Sequence, residues 1–193
     1  MTRKDAILQA ATVLFSEKGF KDTSMSELSK ITGVAQGTIF YHYKNKEDLF
    51  LSILQAMKEG IIAQFDAYME ENDFVSGMEM MERAVSFYLN MAGADTNRFL
   101  LLHRHDAYEF AKANPVCREY LEEIYDYLVD VFEQAILKGQ SDGSIRELSS
   151  RKIALIIFSM VDGVVRFETY KLYNAGGLYQ ELLESCRRIL KAE

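Results

Sequence analysis

Residues 6–50 read AILQAATVLFSEKGFKDTSMSELSKITGVAQGTIFYHYKNKEDLF, and this stretch decides the fold. Between Arg3 and Lys18 the apolar residues Ile7, Ala10, Ala11, Leu14 and Phe15 recur at the i, i+3, i+4, i+7, i+8 spacing of one helical stripe. Gly19 follows as a stop, and Phe20 is placed to fold back onto Phe15. Ser24 and Glu27 spell an S-x-x-E capping box, so a second helix starts at Met25 with Met25, Leu28 and Ile31 on its buried face. It ends near Thr32, because Gly33 offers a second stop. A third short helix runs from about Gln36 to Tyr41, with Ile39 and Phe40 available for packing. Two short helices around a tight glycine turn describe a helix-turn-helix, whose second helix enters the DNA major groove and reads base edges.

Beyond this stretch the helical period continues. Asn45 caps a fourth helix that carries Leu49, Phe50, Ile53, Leu54, Met57, Ile61 and Phe65 on one broad face. Further helices read as about Phe74–Met91, Thr96–Lys112, Pro115–Lys138, Ser150–Tyr173 and Leu178–Lys191, about nine in all. Asn114 is a good N-cap, and Pro115, the only proline, falls at a first helical position. Breaks are expected at Gly93–Asp95, Gly139–Ser144 and Asn174–Gly177. No β-alternation and no internal repeat is present. The chain reads as all-α, with a helix-turn-helix domain over 1–48 and a larger helical domain over 49–193.

At 193 residues the chain can bury a proper core without disulfides or metals as staples. Its two cysteines, Cys117 and Cys186, match no zinc or redox spacing. There is no signal-peptide pattern and no run of about 18 apolar residues, so a cytoplasmic protein with no membrane partner is expected. Taken alone, the net charge of -7 weighs against nucleic acid. Its distribution reverses that impression: the first 50 residues hold seven Lys/Arg against six Asp/Glu, so nearly all the acidity lies in the remainder.

Residues 6–50 resemble the N-terminal DNA-binding domain of the TetR/AcrR family of bacterial repressors. The resemblance rests on Ala11/Leu14/Phe15/Gly19/Phe20, Thr23/Ser24, Gly33-Val34/Gly37-Thr38-Ile39, His42-Tyr43 and Lys46-Glu47. It implies phosphate contacts from Thr23, Ser24, Tyr41, His42 and Lys46, and close approach of the duplex at Gly37. Gln36 and Thr38 are the implied base readers: glutamine pairs bidentately with adenine, and threonine offers a hydroxyl and a methyl. Three positions depart from the family pattern. Ala35 stands where serine is frequent, Gln36 where lysine or arginine is, and Phe40 where tyrosine is usual.

The acidic remainder is then expected to be the sensor and dimerisation body. Phe65, Phe87, Tyr88, Met91, Phe99, Tyr120 and Tyr125 could line an adaptable apolar pocket, with His103 or Arg104 as its polar end. Ser150–Tyr173 is apolar nearly all round. With Ile157, Val161 and Val164 paired to Leu182, Cys186 and Ile189 of the last helix, it suggests a four-helix interface across a two-fold axis. The expected function is a homodimeric repressor on a palindromic operator, released by a small hydrophobic or amphipathic effector and needing no cofactor. One alternative has the body serving a protein partner. A more distant one is a helical metal-dependent enzyme using His103, His105 and Glu109, against which no G-x-S-x-G, H-E-x-x-H or P-loop spacing occurs.

Overall fold

The computed structural model describes residues 2–191, and among these there are helices and no strand. Ten α-helices follow in order: α1 Arg3–Lys18, α2 Met25–Thr32, α3 Gln36–His42, α4 Lys46–Glu71, α5 Gly77–Ala94, α6 Thr96–His103, α7 His105–Ala113, α8 Pro115–Asp142, α9 Ser150–Thr169 and α10 Tyr179–Leu190. A 3-10 turn at Ala175–Leu178 precedes α10. No described helix is long and apolar enough to cross a membrane.

The expected ninefold count rises to ten because Thr96–Lys112 is two helices, broken at Arg104. Neither glycine nor proline causes the break. Arg104 has extended backbone, and its guanidinium Nη1 donates to the carbonyl of Ser16 at 2.9 Å, at the C-terminal end of α1. Gly93 and Gly139, read as breaks, lie inside α5 and α8. At Gly139 the absent side chain admits Ile145, whose Cδ1 would be 2.5 Å from a Cβ placed there.

By compactness the chain forms two units. The first runs through Ile61 and takes in Thr96–Glu123; the second consists of Ile62–Asp95 and the chain from Ile124 onward. In the first, α1 packs against α2 and α6, and α2 against α3. Its core is Ile7, Ala11, Leu14, Phe15, Leu28, Ile39, Tyr43, Leu49, Phe50, Ile53 and Leu54, all 5% exposed or less. In the second unit α5 packs on α9 and α10. There Arg187 holds Glu82 through two hydrogen bonds of 2.6 and 2.9 Å, joining α10 to α5. The Gly143–Arg146 segment closes α8: Ile145 is buried, and Arg146 donates from its backbone to Leu190 and from Nε to Ile189 at the end of α10.

Candidate DNA-binding unit

The corner between α1 and α2 is fastened from two sides. Gly19 takes φ +96°, a conformation open to glycine, and Phe20 turns back onto Phe15 with ring centroids 5.6 Å apart. Arg104 and Asp106 occupy the space where a Gly19 side chain would be, each 2.8 Å from its ideal Cβ. Asp106 accepts from the Phe20 backbone N–H at 3.1 Å and pairs with Arg104. Ser16 donates to Asn97 at 3.1 Å, and Phe110 stacks on Phe20 at 5.7 Å.

From the other side comes Lys46, at the start of α4. Its Nζ donates to the carbonyls of Phe20 at 2.6 Å and Thr23 at 2.9 Å, and lies 4.5 Å from the centre of the Phe20 ring. The expected phosphate cation is thus committed to holding the α1–α2 corner. Thr23 also turns inward: it is 3% exposed, and its hydroxyl donates to the Gly19 carbonyl at 2.9 Å. The Thr23 side chain is therefore not presented outward, while Lys46 is half-buried with its ammonium held on the corner carbonyls.

Ser24 does cap α2, accepting from Glu27 N–H at 3.1 Å, and is itself exposed. The reciprocal half of the capping box is replaced by an ion pair of Glu27 with Lys18. Gly33 ends α2 in the left-handed conformation at φ +66°. Ala35 gives α3 no side-chain cap, as its identity dictates.

Helix α3 is anchored by Ile39 at 0% exposure and, just past its end, Tyr43 at 1%. Its opposite face presents Gln36, Gly37 and Tyr41, the last 85% exposed, while Thr38 and His42 are half-buried. Phe40 and Ile31, both expected in the core, are 45% and 58% exposed. Each lies past the arc of its short helix that the core can cover.

The body residues fall in both units. In the first, Phe99 and His103 are buried with rings 6.4 Å apart, and Tyr120 lies under Lys58 at 4.8 Å. Arg104, expected at the polar end of a pocket, instead holds α1. In the second unit Phe65 contacts Phe87 at 4.8 Å and Tyr88 at 6.4 Å, Met91 is buried, and Phe158 bridges Tyr88 and Tyr125. Sequence reasoning missed Asp162, which accepts from the Tyr88 hydroxyl at 2.7 Å. It is the only charged residue between Lys152 and Arg166, and that isolation was the available signal.

The interface residues also need correction. Ile157, Val161, Leu182 and Cys186 are at most 8% exposed within the single chain, and Val164 and Ile189 are half-buried. The outward side of α9 is instead formed by Leu155, Ile156, Ser159 and Phe167, with half-buried Met160 and Gly163 along it. Burial pushes both the Cys117 and Cys186 thiols up to about 11, so neither is a ready nucleophile or metal ligand. His105 and Glu109 make an exposed pair at 3.2 Å, and among the described residues no three His, Cys, Asp or Glu side chains converge to hold a metal.

Comparison with known proteins agrees with this geometry. Residues 7–53 match the profile of the family described as bacterial regulatory proteins, tetR family. The fatty acid metabolism regulator protein of Bacillus subtilis (strain 168) is 26% identical over 162 residues, covering 82% of this chain and 79% of that protein. A Saccharomonospora viridis chain described as a transcriptional regulator, solved in complex with choline, shares the fold with a TM-score of 0.87 at 18% identity, covering 98% of each chain. The transcriptional regulator FadR from Bacillus subtilis, solved with stearoyl-CoA, does so with a TM-score of 0.74 at 24% identity, covering 93% of this chain and 95% of that one. These relatives are regulators, not enzymes. Residues 7–53 are thus in register with the DNA-binding domain of the tetR family of bacterial regulatory proteins, and the whole chain shares the fold of the solved regulators.

Proposed function

We propose that this regulator represses transcription by binding a palindromic operator as a homodimer, and that a small hydrophobic or amphipathic effector releases it. The observation that carries the reading is α3: one side is locked by Ile39 and Tyr43, and the other presents Gln36, Gly37 and Tyr41 to solvent. A rigid helix with an uncovered polar and aromatic face is suited to reading base edges in a groove. Residues 1–48 would carry the DNA contacts and 49–193 the effector response, in the cytoplasm.

Dimerisation is assigned to the outward face of α9. Leu155, Ile156 and Phe167 are exposed apolar side chains on one helical face, and at Gly163 a Cβ would meet nothing within 4 Å, leaving room for a second helix. For the effector, the aromatic interior around Phe65, Tyr88 and Phe158 supplies apolar surface, and Asp162 a polar group at its side. The effector acts only through differential affinity for the two states of the regulator. Two fold relatives solved with stearoyl-CoA and choline suggest the probes.

The test is gel-shift binding to the region upstream of the protein's own gene, followed by titration with long-chain acyl-CoA and with quaternary ammonium amphiphiles. Specific binding that one of these reverses supports the proposal. Equal affinity for this region and for unrelated duplex refutes the repressor reading, and Leu155→Glu leaving a dimer intact by sedimentation refutes the α9 face.

A further inference from the structure

The last helix carries charge on the side that its own chain leaves uncovered. In α10 the buried stripe is Leu182, Leu183, Cys186 and Leu190. By the helical period, Glu181, Glu184, Arg188 and, just past the end of the helix, Lys191 fall on the opposite side, and all four are exposed. Arg187 lies off this stripe, half-buried and held by Glu82. From its N-terminal end the stripe reads acidic, acidic, basic, basic, at spacings of three, four and three residues. The order is therefore symmetric about the level of Cys186. Turning the helix end for end places every charge level with one of opposite sign: Glu181 with Lys191, and Glu184 with Arg188. Within one chain this order gains little. Arg188 reaches Glu184 at 3.2 Å as an exposed pair one turn along, of a kind that adds little to stability.

A face complementary to its own reversal is what a two-fold axis requires, because there the same patch must meet itself. Two copies of α10 laid antiparallel, with the axis at the level of Cys186, bring every charge of the stripe against its opposite over about 15 Å of helix. In a parallel arrangement each charge meets its own kind. The exposed side of α9 carries no such direction: Leu155, Ile156 and Phe167 are apolar and gain by burial against any apolar face. We propose that the outward stripe of α10 docks antiparallel on the same stripe of a second copy, and that its charge order decides which chains pair. Apolar burial on α9 gives the affinity and α10 gives the selection, because charges across an interface act on partner choice more than on affinity. A related chain without this order of charges is rejected, which keeps the two halves of one regulator from mixing with those of another. This inference rests on the homodimer proposed above and names how its partner is recognised.

The experiment uses the full chain, with sedimentation for the oligomeric state and native mass spectrometry to identify mixed dimers. Three variants rewrite the stripe. Arg188→Glu with Lys191→Glu makes it wholly acidic, Glu181→Lys with Glu184→Lys makes it wholly basic, and the four changes together reverse the order. All four side chains are exposed, so circular dichroism should show each variant folded. The acidic and the basic variant, each alone, should dissociate roughly tenfold more readily than wild type. Their equimolar mixture should form mixed dimers of about wild-type affinity, and the reversed variant should pair with itself but not with wild type. Loss of the Glu184–Arg188 pair, or of charges suited to the helix dipole, weakens a single chain but creates no preference between chains. Pairing selectivity therefore separates the two effects, and it should fade in about 1 M salt. Acidic and basic variants that dimerise as wild type does, or mixed dimers in no more than statistical proportion, overturn the inference and leave the α9 dimer standing. Wild type that sediments only as a monomer overturns both.

Discussion

Alanine at Gly77 tests the helix packing of the second unit. Gly77 opens α5, and a Cβ there would lie 2.5 Å from the carbonyl oxygen of Ala135 and closer still to the backbone nitrogen and Cα of Gly139. All three obstacles are main chain of α8, so no side-chain rotation relieves them. Ordinary contact begins near 3.4 Å. The two helices must therefore part by about 1 Å, a gap that forfeits roughly a quarter to a half of the dispersion attraction at each contact it opens. The same displacement stretches the hydrogen bonds from Gly77 N–H to Asp142 at 2.7 Å and from Met78 N–H to Ser144 at 3.1 Å. Overpacking at this level should cost about 3 kcal/mol, the upper part of its usual range. For a chain of this length that lowers Tm by about 6–12 °C. The measurement is thermal and urea unfolding followed by circular dichroism, with Gly93→Ala as the control. At Gly93, exposed within α5, the added methyl meets nothing within 4 Å, so the control should be neutral or gain up to about 1 kcal/mol from helix propensity. If Gly77→Ala loses less than about 1 kcal/mol, below the range for overpacking, the reasoning about this crossing is refuted.

Other outcomes are expected from features already described. Lys46→Met removes the ammonium from the Phe20 and Thr23 carbonyls, and should destabilise the chain by about 1–2 kcal/mol with faster amide exchange at residues 20–23. Unchanged exchange would mean that Lys46 does not hold the corner. Thr23→Val keeps the volume but deletes the buried hydroxyl that donates to Gly19, and should cost about 1 kcal/mol in urea unfolding; Thr23→Ser should restore most of it. Ser144 and the backbone N–H groups of Ser144 and Gly77 hold the Asp142 carboxyl below the usual carboxylate range. Its contribution to stability is therefore present above the ordinary aspartate pKa and lost as pH falls through the lowered folded value. Asp142→Asn should flatten that acid limb in urea midpoints taken from neutral pH downward, and an unaltered limb would exclude Asp142 as its source.

The first three helices were legible because their signals are local. The Ile7–Phe15 stripe, the Ser24 cap and the stops at Gly19 and Gly33 each act within a turn or two. The break at Arg104 was not legible, because its cause lies 88 residues away at the Ser16 carbonyl. Gly139 misled for a related reason. Glycine marks both a helix end and a close approach of backbones, and only the neighbouring Ile145 and Gly77 show which is at work. In α9 apolar residues occur on both sides, so the pattern could not say which side the chain itself covers. Ile157 and Val161, expected at an interface, are buried within the chain, while Leu155 and Ile156 face out. On α3 the exposure of Gln36, Gly37 and Tyr41 follows from their positions on a short helix, whereas the bonds of Thr23 and Lys46 run to carbonyls of the α1–α2 corner that only the fold brings near.

The grouping of Thr96–Glu123 with the chain through Ile61 limits how such a regulator can be recombined. A chimera that joins residues 1–48 to another body removes Asn97, Arg104, Asp106 and Phe110, the partners of Ser16, Phe20 and the end of α1. The transplanted reader would keep its sequence and lose the clamp on its first corner. If α3 reads the operator as proposed, exchange of specificity between relatives should succeed when both segments move together, or when only the solvent face of α3 is rewritten. On that reading, selection has a few side chains to vary, set on a discontinuous scaffold of some ninety residues.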